Sequence, residues 1–270
     1  MATVRVLVVS GNGTNCERET AQACRLAGAG RVDTVPIWDL VAGDRHLADY
    51  QFVCLPGGFL DGDDLGAARA AANRWRHARV GDSGRRLFDD LRDFVARGGL
   101  VLGICNGFQL MVKLGLLPQL EPGDFRQLVT LTFNDSGRFE DRWVELGCEA
   151  TSPCVFTRGL DRLELPVRHG EGKLVAPGEL LERIESAGLV PVRYLDPRSG
   201  RPTVDYPANP NGSPAGIAGL CDPSGRLFGL MPHPECYLHR THHPRWTRQA
   251  RLPEEGLGLR LFRNAVEWLR

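Results

Sequence analysis

The pentapeptide Gly-Ile-Cys-Asn-Gly at positions 103–107 sets one thiol, Cys105, between two glycines at the end of an apolar run. With a strand expected before it and a helix after it, this is the pattern of a nucleophile elbow with cysteine in place of serine. Gly103 and Gly107 let the backbone pass close to itself. The turn lifts the sulfur above the sheet edge, and the N-terminus of the following helix favours the thiolate. Taken alone, the pentapeptide fits a buried cysteine at an ordinary strand-to-helix turn equally well. A second stretch, "LMPHPE" (230–235), follows another strand-like run and spaces His233 and Glu235 two apart. Prolines on both sides of the histidine hold the segment extended. Glu235 can then bond one imidazole nitrogen and leave the other for Cys105, the nucleophile, base and orienting-acid logic of hydrolytic triads. The plain alternative is a surface turn with a solvated His and Glu. A third stretch, "LPGGF" (55–59), also ends a strand, and its consecutive glycines can turn backbone N–H groups toward an oxyanion. An ordinary tight turn would look the same.

The elements that must position these residues alternate through the first half. Buried-strand runs are expected at 4–9, 32–38, 50–58 and 100–104. Helical spacing is expected in "CERETAQACRLAGAG" and "RRLFDDLRDFVARGG", the latter stopped by Gly98 and Gly99. This rhythm predicts an α/β fold, flavodoxin-like and doubly wound, around a mainly parallel sheet with functional loops at the strands' carboxyl ends. The second half reads as short strand-like runs broken by turns, with "DPSGR" a hairpin signal, and so predicts antiparallel additions. "GLRLFRNAVEWLR" closes the chain with amphipathic helix spacing. One domain over 1–270 is expected, with surface insertions at 73–86 and 237–251.

Composition narrows the class. The 33 basic and 33 acidic residues balance, so no global field points to nucleic acid or to an anionic membrane. The opening run is too short for a membrane span and lacks a signal peptide's basic start. Eight scattered cysteines, with no CxxC pair, fit a reducing cytoplasm better than a disulfide framework. Cys54 and Cys221, inside apolar runs, read as small buried hydrophobes. "HRTHHPRWTR" (239–248) holds three histidines without acidic ligands or a metal-binding spacing, so no metal is expected. "GNGTNC" lacks the third glycine of a dinucleotide loop. Its Cys16 can pass for a second nucleophile. His169 in "RHGEGK" is either a neighbour of the site or a turn histidine.

Taken in order, "LPGGF", "GICNGFQ" and "GLMPHPE" resemble the class I, triad-type glutamine amidotransferases. "SGNGTNCERET", "GGFLDGDDLGA", "NDSGRFEDRWV", "PVRHGEGKL" and "NPNGSPAGIAGLCDPSGRLFGLMPHPE" resemble segments of one branch, the PurQ glutaminase subunits of phosphoribosylformylglycinamidine synthase. The resemblance implies Cys105 as nucleophile, His233 as general base and acid, and Glu235 as its orienter. It implies Gly58 and Asn106 as oxyanion donors, and Gly57, Gln109, Asn134, Ser136 and Phe139 as candidates to hold glutamine. It implies no cofactor in this chain. ATP and magnesium would serve a PurL-type synthetase subunit that takes the ammonia, joined in some systems by a small PurS-type subunit. Where many relatives carry "GDYLR" this chain has "GDDLG", so Asp64 and Gly66 depart from the pattern. A different class I amidotransferase subunit and a γ-glutamyl hydrolase keep the same triad. A non-catalytic relative would be expected to have lost part of it.

Overall fold

The computed structural model describes residues 3–249 and 252–270. Strands β1 (Arg5–Ser10), β2 (Arg31–Pro36), β3 (Phe52–Leu55) and β4 (Leu100–Ile104) carry the first half, with helices α1 (Glu17–Leu26), α2 (Ile37–Ala42), α3 (Arg69–His77) and α4 (Leu87–Ala96) between them. Then come α5 (Asn106–Lys113), β5 (Thr130–Phe133), β6 (Glu140–Cys148), β7 (Arg162–His169), β8 (Glu171–Val175), α6 (Gly178–Ser186), β9 (Val192–Tyr194), β10 (Ile217–Cys221), β11 (Leu227–Leu230) and α7 (Leu259–Trp268).

One nine-stranded sheet runs in the order β2-β1-β3-β4-β11-β10-β9-β6-β7, and β5 pairs with β8 apart from it. The first five strands are parallel, and the pairings from β11 outward to β7 are antiparallel. The flavodoxin-like parallel half with antiparallel additions is therefore present. Every residue of β3, β4 and β11 is buried, as near-continuous apolar strands covered on both faces must be. Cys54 in β3 and Cys221 at the end of β10 are both without exposure.

Some boundaries differ from the sequence expectation. The second strand ends at Pro36 rather than Trp38, because α2 starts at Ile37 with Pro36 as its N-cap. Proline lacks the N–H a ladder would use and its fixed φ suits a helix entry. Within 73–86, the first residues complete α3, whose Trp75 is fully buried. The segment 237–251 begins with buried Tyr237 and Leu238 and continues in turns; its last two residues lie outside the described ones. No helix among the described residues is long and apolar enough to cross a membrane.

Register sets the site. Leu55 pairs with Gly103, and Ile104 with Leu230, so β3, β4 and β11 end in line. The glycine pair at 57–58, Cys105 and His233 each follow one of those strand ends within three residues. Helix α5 packs back across these strands through Phe108 and Met111, which fill the space left by two glycines. A Cβ on Gly229 would stand 2.2 Å from Phe108 Cδ2, and one on Gly103 2.5 Å from Met111 Sδ.

Candidate active site

Cys105 stands between β4 and α5 with φ 50° and ψ −104°, a conformation that costs a non-glycine residue of order 1–3 kcal/mol and persists only where its surroundings enforce it. The enforcement is visible. Its N–H donates to Leu230 O at 2.8 Å, tying the elbow to the end of β11. Gly107 presses on β3 so closely that a Cβ there would fall 1.8 Å from Leu55 O. The sulfur is buried and lies 3.5 Å from Arg168 O, and α5 points its N-terminus at it.

His233 follows β11, anchored by its own N–H to Pro166 O at 2.8 Å. Glu235 does not sit on an extended continuation, as the sequence led one to expect. Pro234–Cys236 form a 3₁₀ turn with proline in its first position. That turn brings Glu235 Oε1 to 2.6 Å from His233 Nδ1, with both side chains almost completely buried. The other ring nitrogen, Nε2, has no hydrogen-bond partner. Cys105 and His233 flank Gly57, where a Cβ would meet His233 Cε1 at 2.8 Å and Cys105 Cβ at 3.5 Å. Burial pushes the imidazole pKa down most strongly of any single influence, but Glu235 and then Cys105 outweigh it. Together they hold His233 well above its ordinary 6.5. That direction favours a protonated ring held against Glu235.

These groups open on a cleft of about 200 Å³ whose lining includes Cys16, Gly58, Asp63, Cys105, Gln109, Phe139, His169, Glu171 and His233. Gly58 needs its positive φ of 134° and its missing side chain, because a Cβ would come 2.5 Å from Gly13 O and 2.7 Å from Asn15 N. The loop at 13–15 is thereby laced to it, Phe59 N donating to Gly13 O and Asn15 N to Gly57 O. Asn106 N–H is the first of α5, one of the donors a helix cannot satisfy internally. The Asn106 side chain is occupied, accepting from Leu60 N and donating to Gln109 Oε1. Gln109 in turn donates to Glu171 O.

Two expected glutamine contacts lie elsewhere. Asn134 is buried and fully engaged, donating to Arg138 O and His169 O and accepting from Gly172 N, so its amide braces the loops rather than facing the cleft. Ser136 accepts from Arg138 N within its turn and borders a separate depression with Val204 and Tyr206. Phe139 does line the cleft, 56 % exposed at its mouth. His169 also lines it. Its Nδ1 pairs with Asn134 Oδ1 while Nε2 is buried without a partner, and burial, then the charge of His233, lower its pKa to about 3. It stays neutral.

Asp63 and Glu171 also line the cleft, and neither stands out as a site residue in the sequence. Asp63 Oδ1 is buried and unpartnered, and burial, then Glu171, push its carboxyl up. Buried Lys113 stands near both acids, lowered by burial and then by Arg69. A larger cleft of about 500 Å³ lies at the amino ends of β4 and β11, lined by Gln119, Phe125, Asp222 and Arg226 among others. It is lined by neither cysteine nor histidine and lies at the opposite end of those strands from Cys105.

Residues 3–269 match the family described as the CobB/CobQ-like glutamine amidotransferase domain. The phosphoribosylformylglycinamidine synthase subunit PurQ of Dehalococcoides mccartyi is 46% identical over 270 residues, covering 100% of this chain and 99% of that one. The protein of the same name from Methanococcus maripaludis is 40% identical over 275 residues, covering 98% and 97%. Among solved structures, that of PurLQS from Thermotoga maritima superposes with a TM-score of 0.71 at 27% identity, covering both chains completely. A cysteine elbow, a braced imidazole and a glycine loop collected at the ends of three parallel strands, with similarity running the length of the chain, lead to one assignment: the chain belongs to the glutamine amidotransferase domain family, in its PurQ branch.

Proposed function

We propose that this chain is the glutaminase subunit of a phosphoribosylformylglycinamidine synthase, working in the cytoplasm of its cell. The observation that carries the reading is the 2.6 Å His233–Glu235 pair set beside Cys105, with Nε2 left unpartnered. Cys105 as thiolate attacks the side-chain carboxamide carbon of glutamine. The Gly58 and Asn106 amides receive the oxyanion, each worth about 3–4 kcal/mol if correctly aimed. The His233 imidazolium protonates the departing nitrogen, ammonia leaves, and a γ-glutamyl thioester remains. The ring, now neutral, takes a proton from water, whose oxygen attacks the thioester carbonyl and releases glutamate. Glu235 holds Nδ1 throughout and balances the charge that comes and goes on the ring.

At the far end of the substrate, the crowded carboxylates of Asp63 and Glu171 fit the α-ammonium group of an amino acid. No cation stands within salt-bridge distance of either among the described residues, and a bound ammonium would relieve their mutual repulsion. Gln109 and Phe139 border the same space.

The ammonia needs a consumer. The relatives are named as subunits of a synthase, and the structure from Thermotoga maritima is that of PurLQS. In this reading a PurL-type synthetase subunit, with a PurS-type small subunit where present, amidates formylglycinamide ribonucleotide using ATP and magnesium; this chain carries no cofactor. Phe59, Phe133 and Phe139 are exposed around the cleft mouth, an apolar rim suited to being covered.

The test is glutamine hydrolysis with and without the synthetase subunit. Wild type releases glutamate slowly alone and faster in the complex. Cys105→Ala abolishes turnover while the complex still assembles and still amidates with added ammonia. Undiminished glutaminase activity in Cys105→Ala would end the proposal.

A further inference from the structure

Four donor atoms that the reaction does not use together surround the buried side of His233. Cys16 Sγ lies 3.9 Å from His233 Nδ1, Glu235 Oε1 lies 2.6 Å from the same nitrogen, and Cys236 Sγ lies 3.8 Å from that oxygen. The ligand atoms of Cys16, His233 and Glu235 all fall within 4.8 Å of one another, and Cys236 Sγ stands just outside that group, meeting it at Glu235 Oε1. Four ligands about 2.0–2.3 Å from a tetrahedral zinc ion stand roughly 3.5 Å apart. The Cys16–His233 and Cys236–Glu235 separations already approach that value; the Nδ1–Oε1 contact must open by about an ångström through rotation of the Glu235 carboxylate, and Cys236 must turn toward the other three ligands.

Two independent features point to a cation rather than to a closed hydrogen-bond network. Glu235 Oε2 is buried without any donor, on a side chain with no exposure. An ion also has a way in, since Cys16 and His233 line the cleft. Arg168 Nη1 reaches Cys236 Sγ at 3.6 Å, which sets a positive charge beside the thiols.

We propose that Cys16, His233, Glu235 and Cys236 form a chelating site for one thiophilic divalent cation, Zn²⁺, whose binding reversibly silences Cys105. The ion displaces the thiol protons and the Nδ1 proton to solvent and bonds Cys16 Sγ, Cys236 Sγ, His233 Nδ1 and, once the Glu235 carboxylate has rotated, the otherwise unpartnered Oε2. Two thiolates and a carboxylate leave the bound site with one net negative charge, which Arg168 faces. His233 then can neither be braced by Glu235 nor carry its imidazolium proton. Binding itself is independent of the glutaminase reading; only the inhibition rests on it.

Cobalt(II) is the probe, because its thiolate charge-transfer absorbance counts sulfur ligands. Titration of the whole chain with Co²⁺ gives one tetrahedral site with two thiolates. Cys16→Ser and Cys236→Ser each lose about half of that absorbance and bind Zn²⁺ about tenfold or more weakly, whereas Cys105→Ala keeps both. Zn²⁺ inhibits wild-type glutaminase, a chelator restores it, and Cys236→Ser, active without metal, needs about tenfold more Zn²⁺ for the same inhibition. Absorbance that vanishes in Cys105→Ala, or persists undiminished in Cys16→Ser and Cys236→Ser, would place the metal on the nucleophile instead and overturn the proposal. If glutaminase activity proves absent, the cobalt titration still decides the site.

Discussion

Replacing Glu235 with glutamine keeps the side chain's size and removes its charge. The contact with Nδ1 is 2.6 Å and neither side chain exceeds 3% exposure, so water screens it little. A hydrogen bond to a charged group contributes about 1.5–3 kcal/mol net, and burial puts this one at the upper end. If the whole of it is retained in the transition state, about 3 kcal/mol corresponds to a loss of roughly 150-fold in kcat/KM. The ring's titration must move as well. His233 is held well above 6.5 because Glu235 and Cys105 outweigh burial, so deleting the larger of those charges lets burial pull it down. The linkage has a definite sign. A pKa raised by folding contributes stability that is fully present below the unfolded value and is lost as pH rises through the folded value. Glu235→Gln should lose that contribution, so its stability relative to wild type is poorest at the low-pH end and recovers as pH rises. The assay is the His233 Cε1 proton resonance, with urea midpoints, from about pH 6 to 9 for both proteins, alongside kcat/KM. An unchanged titration midpoint together with kcat/KM within about twofold of wild type would refute the reasoning, because the carboxylate would then neither charge nor orient the ring.

Gly107→Ala would drive a methyl to 1.8 Å from Leu55 O, so β3 and α5 must part, at a cost of about 3 kcal/mol or more by urea denaturation. Gly66→Ala, at φ 94° with open space around it, should cost only about 1–2 kcal/mol; equal losses would show that the elbow is not tightly packed. Asp63→Asn should raise KM for glutamine with little change in kcat, and should narrow the preference for glutamine over the same carboxamide lacking its α-amino group. An unaltered preference would remove Asp63 from the substrate end. His169, lowered to about 3 in the fold from 6.5, makes the protein lose stability as pH falls below about 6.5. Urea midpoints of His169→Gln should therefore fall less steeply than wild type between about pH 6.5 and 4.5, and parallel profiles would contradict its burial as a neutral ring.

Much of the site was legible because its demands are local. Gly103 and Gly107 around Cys105 announce a close-packed turn whatever surrounds them, and the structure shows what each glycine admits: Met111 Sδ in one case, Leu55 O in the other. The parallel strands were legible because strands covered on both faces must be apolar throughout. Short helices were not. Helix α6 buries only Ile184 and α2 has six residues, too few to show a period.

Asp63, Glu171 and the Cys16–Cys236 pair were hidden for another reason. Asp63 and Glu171 are 108 positions apart, and Cys16 is 217 positions from His233, so no window of sequence contains either grouping. Asn134 was misplaced for the same reason. Its type fits a substrate contact, but His169 and Gly172, brought back by β7 and β8, had already taken its amide.

The sequence by itself determined the residue types, the strained turn and the alternation of strands and helices, because these follow from steric and solvent preferences of neighbouring residues. Only the tertiary structure decided which carboxylates share a cleft, which thiols stand against the imidazole and how Glu235 reaches it. Those depend on where separate strands end in one sheet, and the pairing of Leu55 with Gly103 and of Ile104 with Leu230 is what aligns those ends.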